Sequence, residues 1–298
     1  MSAGTPTAAV LRRPPRQGLA ALLLLAPAFA FLTLFGAALV DLLEWSLYPS
    51  GRIGMPRTGA IGFDTYVRIF SDSLFRRAIY TTFSLSAMAT LASLALGLPI
   101  AYWIVRTESR RVRAALIMLV AVPFMTSLIV RLYSLMLVLG NTGLINRLLQ
   151  ALGVIAENDF IPLIRNEVSV TIGLTYFVLP FVIFTLAGTF RRYDRTLEEA
   201  AQNLGADEVS TFFRVTMPLL APGVLAAGTL AFVLAGTAFA TPLILGGSAV
   251  RMIANVIYDQ ALFAQNMPIA AGMSAVALVF TLVCLYAAGR IARWRRLA

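Results

Sequence analysis

The sequence contains no lysine and no histidine, and all 24 of its basic residues are arginine. A phosphate-binding P-loop requires a lysine, so the chain cannot hydrolyse ATP by that route. Histidine metal sites, Ser-His-Asp triads and HExxH zinc sites are excluded because each requires histidine. The single cysteine, Cys284, lies in an apolar run, where we expect it to pack as a small side chain. It can form no intrachain disulfide.

Charge is also scarce in this chain. Only 13% of its 298 residues are charged, whereas 59% are hydrophobic and the mean hydropathy is +0.82. Soluble domains carry about 25% charged residues, so this composition indicates an integral membrane protein. We attribute the net charge of +10 to arginine anchors at the cytoplasmic membrane face and not to nucleic-acid binding.

Six largely uncharged windows predict six membrane helices, since one span needs about 20 apolar residues. Arg131 interrupts the short third window, and there we predict one span from about Ala114 to Met136. The fifth window is too long for one span. We predict that its helix ends near Phe239 and that residues 241–250 continue as irregular backbone on the outer side. The windows are 17–40, 78–105, 114–130, 168–190, 215–250 and 260–289.

The placement of arginine orients these spans. With both termini in the cytoplasm, most arginines fall in the cytoplasmic segments, as the positive-inside rule expects; Arg76 and Arg77 are the main exceptions. Ala26-Pro27-Ala28 resembles a signal-peptide cleavage site. However, the apolar run that contains it, residues 17–40, is longer than the about 7–15 residues of a signal core, so we predict an uncleaved first span. The segment 41–77 is predicted as an outer loop with a short surface helix from Phe63 to Phe70.

A polar segment separates the fourth and fifth windows. Residues 198–213 carry four acids and no base, whereas helices that lie on a bilayer usually have a basic polar face. We therefore favour a rigid pair of short helices over a loop lying on the membrane. Gly205 is predicted to end the first helix and Asp207 to cap the second, with Glu208 in its first turn. Pro218 suits the first turn of the next span. One helical face is predicted to contain Tyr193, Leu197, Ala200, Ala201 and Leu204, and the other Val209, Phe212, Phe213 and Thr216.

We call this pair of helices the elbow (residues 191–217). It has the features of a segment that inserts into a groove on another protein. The Ala200-Ala201 pair permits close approach, Phe212 or Phe213 supplies an apolar anchor, and Glu199 can meet a partner's cation. A stripe of small residues follows the elbow and predicts close helix packing, either within this subunit or at a dimer interface. The stripe consists of Gly223, Ala227, Ala231 and Ala235.

The elbow resembles the cytoplasmic signature of ABC importer permeases. The matching residues are Glu199-Ala200-Ala201, Gly205, Val215 and Met217-Pro218, with Val215 where the family usually has isoleucine and Met217 where it usually has leucine. Two further stretches, Val122–Leu149 and Phe239–Ser274, are similar to permeases of spermidine/putrescine-type importers. The resemblance covers most of residues 76–289. It implies an all-α integral membrane protein with six transmembrane helices and the type I (MetI-like) permease fold.

The same resemblance implies the partners and the domain organisation. A dimer of ABC ATPases would dock on the elbow and use ATP and magnesium, while this chain would bind no cofactor and perform no catalysis. A sister permease, forming a heterodimer, and a periplasmic solute-binding protein are also expected, in a bacterial inner membrane. The expected units are residues 1–75, 76–290 and 291–298: the cytoplasmic tail with the first span and a periplasmic segment, the permease domain, and a cytoplasmic tail. The residues expected to couple to the ATPase are Glu199, Ala200, Ala201, Gly205, Phe213 and Pro218.

The substrate path departs from the polyamine pattern at one position. Permeases of that type commonly carry Asp or Glu where this chain has Ala238, preceded by Thr237. The solute therefore stays open among polyamine, amino-acid-like and opine-like compounds. Arg131 has two possible roles: it contributes to the pathway, where it would favour carboxylate-bearing solutes, or it is a structural or snorkelling arginine. The path candidates are Arg131, Tyr133, Thr237, Ala238 and Thr241.

Two other classes of function compete with the importer subunit. A stand-alone secondary transporter or channel usually keeps ionisable residues at the membrane midplane, yet the uncharged windows are interrupted only by Arg131, and no inverted repeat is visible. A membrane enzyme would need a clustered acid–base set, and the sequence shows none.

Overall fold

The structure is a computed structural model. It describes residues 16–49, 59–156, 159–192 and 196–294, but not the side chains of residues 16–24 and 291–294. This part of the chain is helical and contains no strand. Six of its helical stretches are long and apolar enough to cross a membrane, which confirms the predicted all-α, six-span class. They are Leu25–Trp45, Ser73–Arg106, Leu128–Ala151, Glu167–Arg191, Glu208–Gly236 and Met267–Arg290.

Twelve α-helices occur within these ranges, together with three five-residue π-helical turns. The helices are α1 (Arg16–Trp45), α2 (Asp64–Ser71), α3 (Ser73–Arg106), α4 (Arg110–Met125), α5 (Leu128–Leu139), α6 (Leu144–Ala151), α7 (Glu167–Arg191), α8 (Thr196–Asn203), α9 (Glu208–Thr211), α10 (Met217–Gly236), α11 (Ile253–Tyr258) and α12 (Met267–Trp294). The π-helical turns are Phe212–Thr216, Pro242–Gly246 and Asp259–Phe263.

The helices α3, α7 and α10 form the centre of the bundle. Small residues let them approach closely: a β-carbon placed on Gly223 of α10 would lie 2.2 Å from Cγ2 of Thr189 in α7. Ala227, Ala231 and Ala235 are completely buried by the chain itself. The small-residue stripe therefore packs against helices of this subunit, which decides between the two uses that the sequence left open.

The two ends of the bundle are distinguished by the segments that cover them. At one end, which we call the elbow end, Arg106 in the last turn of α3 forms an ion pair with Glu198 in α8. At the other, the far end, Leu245 accepts hydrogen bonds near the start of α7, from the backbone nitrogen of Arg165 (2.9 Å) and from Ser169 Oγ (3.0 Å). The elbow end corresponds to the predicted cytoplasmic side.

The predicted single helix from Ala114 to Met136 is wrong. Helix α4 ends at Met125, two residues after Pro123, and the chain becomes extended at Thr126 (φ −96°, ψ 146°) before α5 begins. The hydroxyl of Thr126 donates to the carbonyl of Pro123 at 2.9 Å, a local bond that competes with continuation of the helix. The apolar stretch long enough to span begins instead at Leu128 and runs through a turn to Ala151.

The prediction for the segment after α10 is partly wrong. Helix α10 ends at Gly236, close to the expected Phe239, but residues 242–246 form a π-helical turn and not irregular backbone. Pro242 is compatible with this turn because the first residues of a helix need no intrahelical N–H partner. Gly247, at φ +57°, then ends it.

The short surface helix predicted between Phe63 and Phe70 is confirmed as α2. Its inner face packs on α12, where a β-carbon on Gly272 would lie 2.7 Å from Cδ1 of Ile69. The predicted boundary between residues 75 and 76 falls inside α3, which begins at Ser73. Of the predicted C-terminal tail 291–298, residues 291–294 belong to α12; residues 295–298 and 1–15 lie outside the described residues.

Candidate coupling elbow and substrate path

The described part of the elbow consists of two short helices joined by a tight turn. Gly205 has φ +91°, the left-handed conformation that glycine adopts without steric cost, and it ends α8 as predicted. Across the turn, the backbone nitrogen of Ala206 donates to the carbonyl of Ala201 at 3.1 Å. Helix α9 then continues through the π-helical turn 212–216 into α10, with Pro218 in the first turn. The second short helix is therefore a rigid extension of the fifth span, as the sequence predicted.

Asp207 does not cap α9 in the predicted way. It occupies the N-cap position, but its side chain accepts no hydrogen bond from the helix. Glu208 does lie in the first turn, as expected. The carboxylate of Asp207 is exposed to solvent, where water satisfies it without the helix N–H groups.

One face of the elbow is apolar and uncovered. Leu204 is 90% exposed, and Val209 and Phe213 are each 64% exposed. Tyr193, which was predicted to share this face, lies outside the described residues. We call this face the elbow surface; it consists of Leu197, Glu199, Ala200, Leu204, Val209 and Phe213, all classed as exposed.

The structure separates the two candidate anchors, Phe212 and Phe213. The ring of Phe212 packs inside the chain, with its centroid 5.7 Å from that of Tyr102 in α3. Phe213 faces outward, next to a groove of about 360 Å³ that is lined also by Met217 and Pro218. Of the two, Phe213 is available to a partner protein.

Glu198 is a functional candidate that the sequence reasoning did not select. Unlike its exposed neighbour Glu199, it is only 5% exposed, and it contacts Arg106 and Thr216. Two adjacent residues of a helix point about 100° apart, so only one of these acids can face the membrane helices. The available signal was Arg106, a basic residue at the predicted cytoplasmic end of the second span.

Arg131 lies in α5 beside an aromatic ring. Its guanidinium carbon is 5.9 Å from the ring centroid of Tyr176, within the range of a cation–π contact. Its Nε atom is buried and has no hydrogen-bond partner among the described residues. Tyr133, two residues further along the same helix, is 53% exposed. Successive residues are rotated by about 100°, so these two side chains leave α5 in nearly opposite directions.

The three path candidates after α10 have different environments. Thr237 is exposed, and its hydroxyl donates to the carbonyl of Val233 at 3.0 Å. Ala238 is partly buried against the core. Thr241 is 1% exposed, and its methyl group lies 2.7 Å from the position of a β-carbon on Gly173. Thr241 therefore lines no open space in this conformation.

The far end also carries a charged hollow that sequence reasoning missed. It has a volume of about 330 Å³, and its walls bring Arg77, Glu167 and Arg251 together from three separate segments. Arg251 forms an ion pair with Asp259 at 3.3 Å. No sequence signal joins these residues, because their proximity results from the packing of α3, α7 and the segment after α10.

Comparisons with known proteins agree with this architecture. A family model described as binding-protein-dependent transport system inner membrane component matches residues 59–296. The spermidine/putrescine transport system permease protein PotB of Haemophilus influenzae is 33% identical over 214 residues, which cover 72% of this chain and 73% of that protein. The PotB protein of Escherichia coli K12 is 35% identical over 211 residues, or 71% of this chain and 75% of that one.

A solved structure shares the fold. It is a bacterial alginate ABC transporter in complex with an alginate pentasaccharide-bound periplasmic protein. The matched chain is 21% identical with a TM-score of 0.76, covering 93% of this chain and 95% of that one. These findings confirm the resemblance derived from the elbow signature. The chain belongs to the family of binding-protein-dependent transport system inner membrane components and is a permease subunit of an ABC importer.

Proposed function

We propose that this chain carries a small polar organic solute across the bacterial inner membrane, driven by separate ATPase subunits that dock on the elbow surface. The observation that carries the proposal is the contrast between the two faces of the elbow. The face toward the bundle buries Glu198 and packs Phe212 against Tyr102, whereas the outer face leaves Leu204 and Phe213 uncovered. A surface of this kind is typical of a protein interface.

The chemistry of the elbow surface fits a protein partner better than a lipid surface. Among the residues of this surface the ionisable group is Glu199; the neighbouring Asp207 and Glu208 add negative charge, and the exposed Arg214 beside Phe213 adds one positive charge. Anionic lipid repels acidic groups. A groove with an apolar pocket for Phe213, a flat wall for Ala200 and a cation at its rim would complement the surface. The ATPase subunits are the partners that we propose to supply this groove, and they would bind ATP and magnesium.

The solute is proposed by class. The PotB relatives carry the name of spermidine and putrescine transport, which makes polyamines the first solutes to test. Ala238 offers no carboxylate for a polycation, so amino-acid-like and opine-like compounds are tested beside them. A sister permease and a periplasmic binding protein complete the proposed transporter, with both termini of this chain in the cytoplasm. The periplasmic protein bound to the alginate transporter supports that kind of partner.

A pair of matched phenylalanine substitutions tests the docking site. Phe213→Ala removes a ring that is 64% exposed from the elbow surface, and Phe263→Ala removes a ring that is 74% exposed from the far end. We expect Phe213→Ala to weaken binding of the ATPase subunits about tenfold or more, since a buried aromatic anchor is worth about 2 kcal/mol at an interface. Binding is measured by titrating the ATPase onto the permease pair in nanodiscs.

The Phe263→Ala variant should bind the ATPase as the native chain does. Equal binding by both variants would show that Phe213 is not an anchor. Uptake into proteoliposomes tests the wider proposal, because solute should accumulate only when the ATPase and ATP are present. Accumulation driven by an ion gradient without the ATPase would identify a secondary transporter instead.

A further inference from the structure

The inner face of the elbow holds a buried carboxylate with both oxygens engaged. Glu198 is 5% exposed. Its Oε2 pairs with the guanidinium of Arg106, and its Oε1 accepts a hydrogen bond from Thr216 Oγ1 at 2.7 Å. These three side chains come from α8, from the end of α3 and from the π-helical turn that leads into α10. One carboxylate therefore joins three separate elements at the elbow end.

An aromatic layer lies directly beneath this carboxylate. The guanidinium carbon of Arg106 lies 4.9 Å from the ring centroid of Tyr102, one turn earlier in α3. The Tyr102 ring meets Phe190 at 5.6 Å and Phe212 at 5.7 Å, both edge to face. Phe190 belongs to the last turn of α7. The ends of α3 and α7 and the start of the fifth span are therefore packed around the same ring.

Burial makes this ion pair hard to separate. Taking a carboxylate out of water is costly unless a cation and hydrogen bonds compensate for the lost hydration, and removing one partner leaves that cost unmatched. The side chain of Arg106 keeps 33% of its surface exposed, whereas that of Glu198 keeps 6%. If α8 shifted relative to α3 by too little to admit water, Glu198 would lose its partner without being hydrated. Movement of α8 together with the end of α3 avoids that cost.

We propose that Arg106, Glu198 and Thr216 form a clamp that transmits movement of the elbow to α3. The inference rests on the proposed function, in which ATPase subunits bind the elbow surface. The chain itself connects α8 to α7 on one side and, through α9, to α10 on the other, whereas the clamp adds a route to the end of α3. Glu198 is a positioning residue in this scheme, because it faces the bundle and not the docking surface.

Hydrogen–deuterium exchange of the assembled transporter in nanodiscs tests the clamp without knowledge of the solute. Exchange is compared between the nucleotide-free state and the state trapped with ATP and vanadate. In the native transporter, we expect the trapped state to change exchange in both α8 and residues 100–106 of α3. In Glu198→Gln, α8 should still respond, while the response of residues 100–106 falls about threefold or more, the scale of a lost coupling contact.

Three further variants complete the test. Asp64→Asn removes a charge of the same sign from an exposed position in α2, away from the elbow, and should respond as the native chain does. Arg106→Glu combined with Glu198→Arg restores the ion pair in reverse, and it should recover the α3 response that either single change abolishes. If Glu198→Gln fails to assemble, Arg106→Gln with Glu198→Gln replaces the charged pair by neutral amides and is expected to show the same loss at α3.

The outcomes separate the two proposals. An undiminished α3 response in Glu198→Gln, or in the double glutamine variant, overturns the clamp. So does a charge-swapped variant that behaves like the single changes. If the ATPase does not bind the elbow, or if α8 of the native transporter does not respond to ATP and vanadate, then the proposed function itself fails.

Discussion

The elbow and the far-end insertion (residues 237–266) both interrupt the apolar pattern of the chain, and both contain a π-helical turn. Their exposure differs sharply. In the far-end insertion, Thr241, Leu245 and Met252 are at most 1% exposed, whereas Leu204 and Phe213 of the elbow are 90% and 64% exposed. Within the insertion, the chain itself covers these three residues, although Leu262 and Phe263 near its end are 55% and 74% exposed. It leaves the outer face of the elbow uncovered.

The difference follows from how each region is tied to the bundle. The far-end insertion donates a hydrogen bond to α3, from the backbone nitrogen of Ile253 to Thr82 Oγ1 at 2.8 Å, and it accepts two at the carbonyl of Leu245, from Arg165 and Ser169. The side-chain amide of Asn255 donates to the carbonyl of Phe239 at 3.2 Å. The elbow is held on its inner face by the clamp around Glu198. A region fixed on one face only can change its contacts on the other when a partner binds.

The largest expected effect comes from overpacking the contact between α7 and the far-end insertion. Gly173→Val places methyl groups where even a β-carbon would lie 2.4 Å from Leu245 Cδ1. We expect a loss of about 3 kcal/mol in stability, as for overpacked cores, measured as thermal unfolding of the permease in detergent. Gly188→Val is the control in the same helix, because a β-carbon there meets nothing within 4 Å. Equal melting of the two variants would contradict the tight packing of the insertion.

A smaller loss is expected from removing one anchor of the insertion. Thr82→Val keeps the shape of the side chain but leaves the buried N–H of Ile253 without its acceptor, at a cost of about 2 kcal/mol. Thr82→Ser retains the hydroxyl and should recover most of that stability. Thermal unfolding of the two variants measures the difference. A serine variant as unstable as the valine variant would show that the methyl group, and not the hydrogen bond, holds the segment.

The smallest expected effect compares one helix cap from each end. Asn166 accepts a hydrogen bond from the backbone nitrogen of Ser169 at 2.9 Å in a reciprocal capping box at the start of α7. Asn166→Ala should therefore cost about 1 kcal/mol, the usual value of an N-cap. Asp207→Ala should leave the melting temperature nearly unchanged, because its side chain caps nothing. A clear destabilisation by Asp207→Ala would mean that the elbow is held locally, like the far end.

Local patterns predicted the shape of the elbow well. Gly205 and Pro218 act through their own backbone preferences, so the sequence was sufficient to place the end of α8 and the start of the fifth span. The break at Thr126 was missed because residues on both sides of it are apolar and no charge marks it. The side chain that holds the elbow was missed too, since Glu198 and Glu199 differ only in which way they point.

The sequence by itself determined the membrane class, the number of helical spans and the two-helix elbow, because hydropathy, helical period and the preferences of glycine and proline act over a few residues. Only the tertiary structure decided which acid is buried, that the small-residue stripe faces α7, and that Thr241 is enclosed. Those outcomes depend on contacts between residues far apart in the chain. The geometry of those contacts depends on how α3, α7 and α10 cross, and local sequence patterns do not specify that crossing.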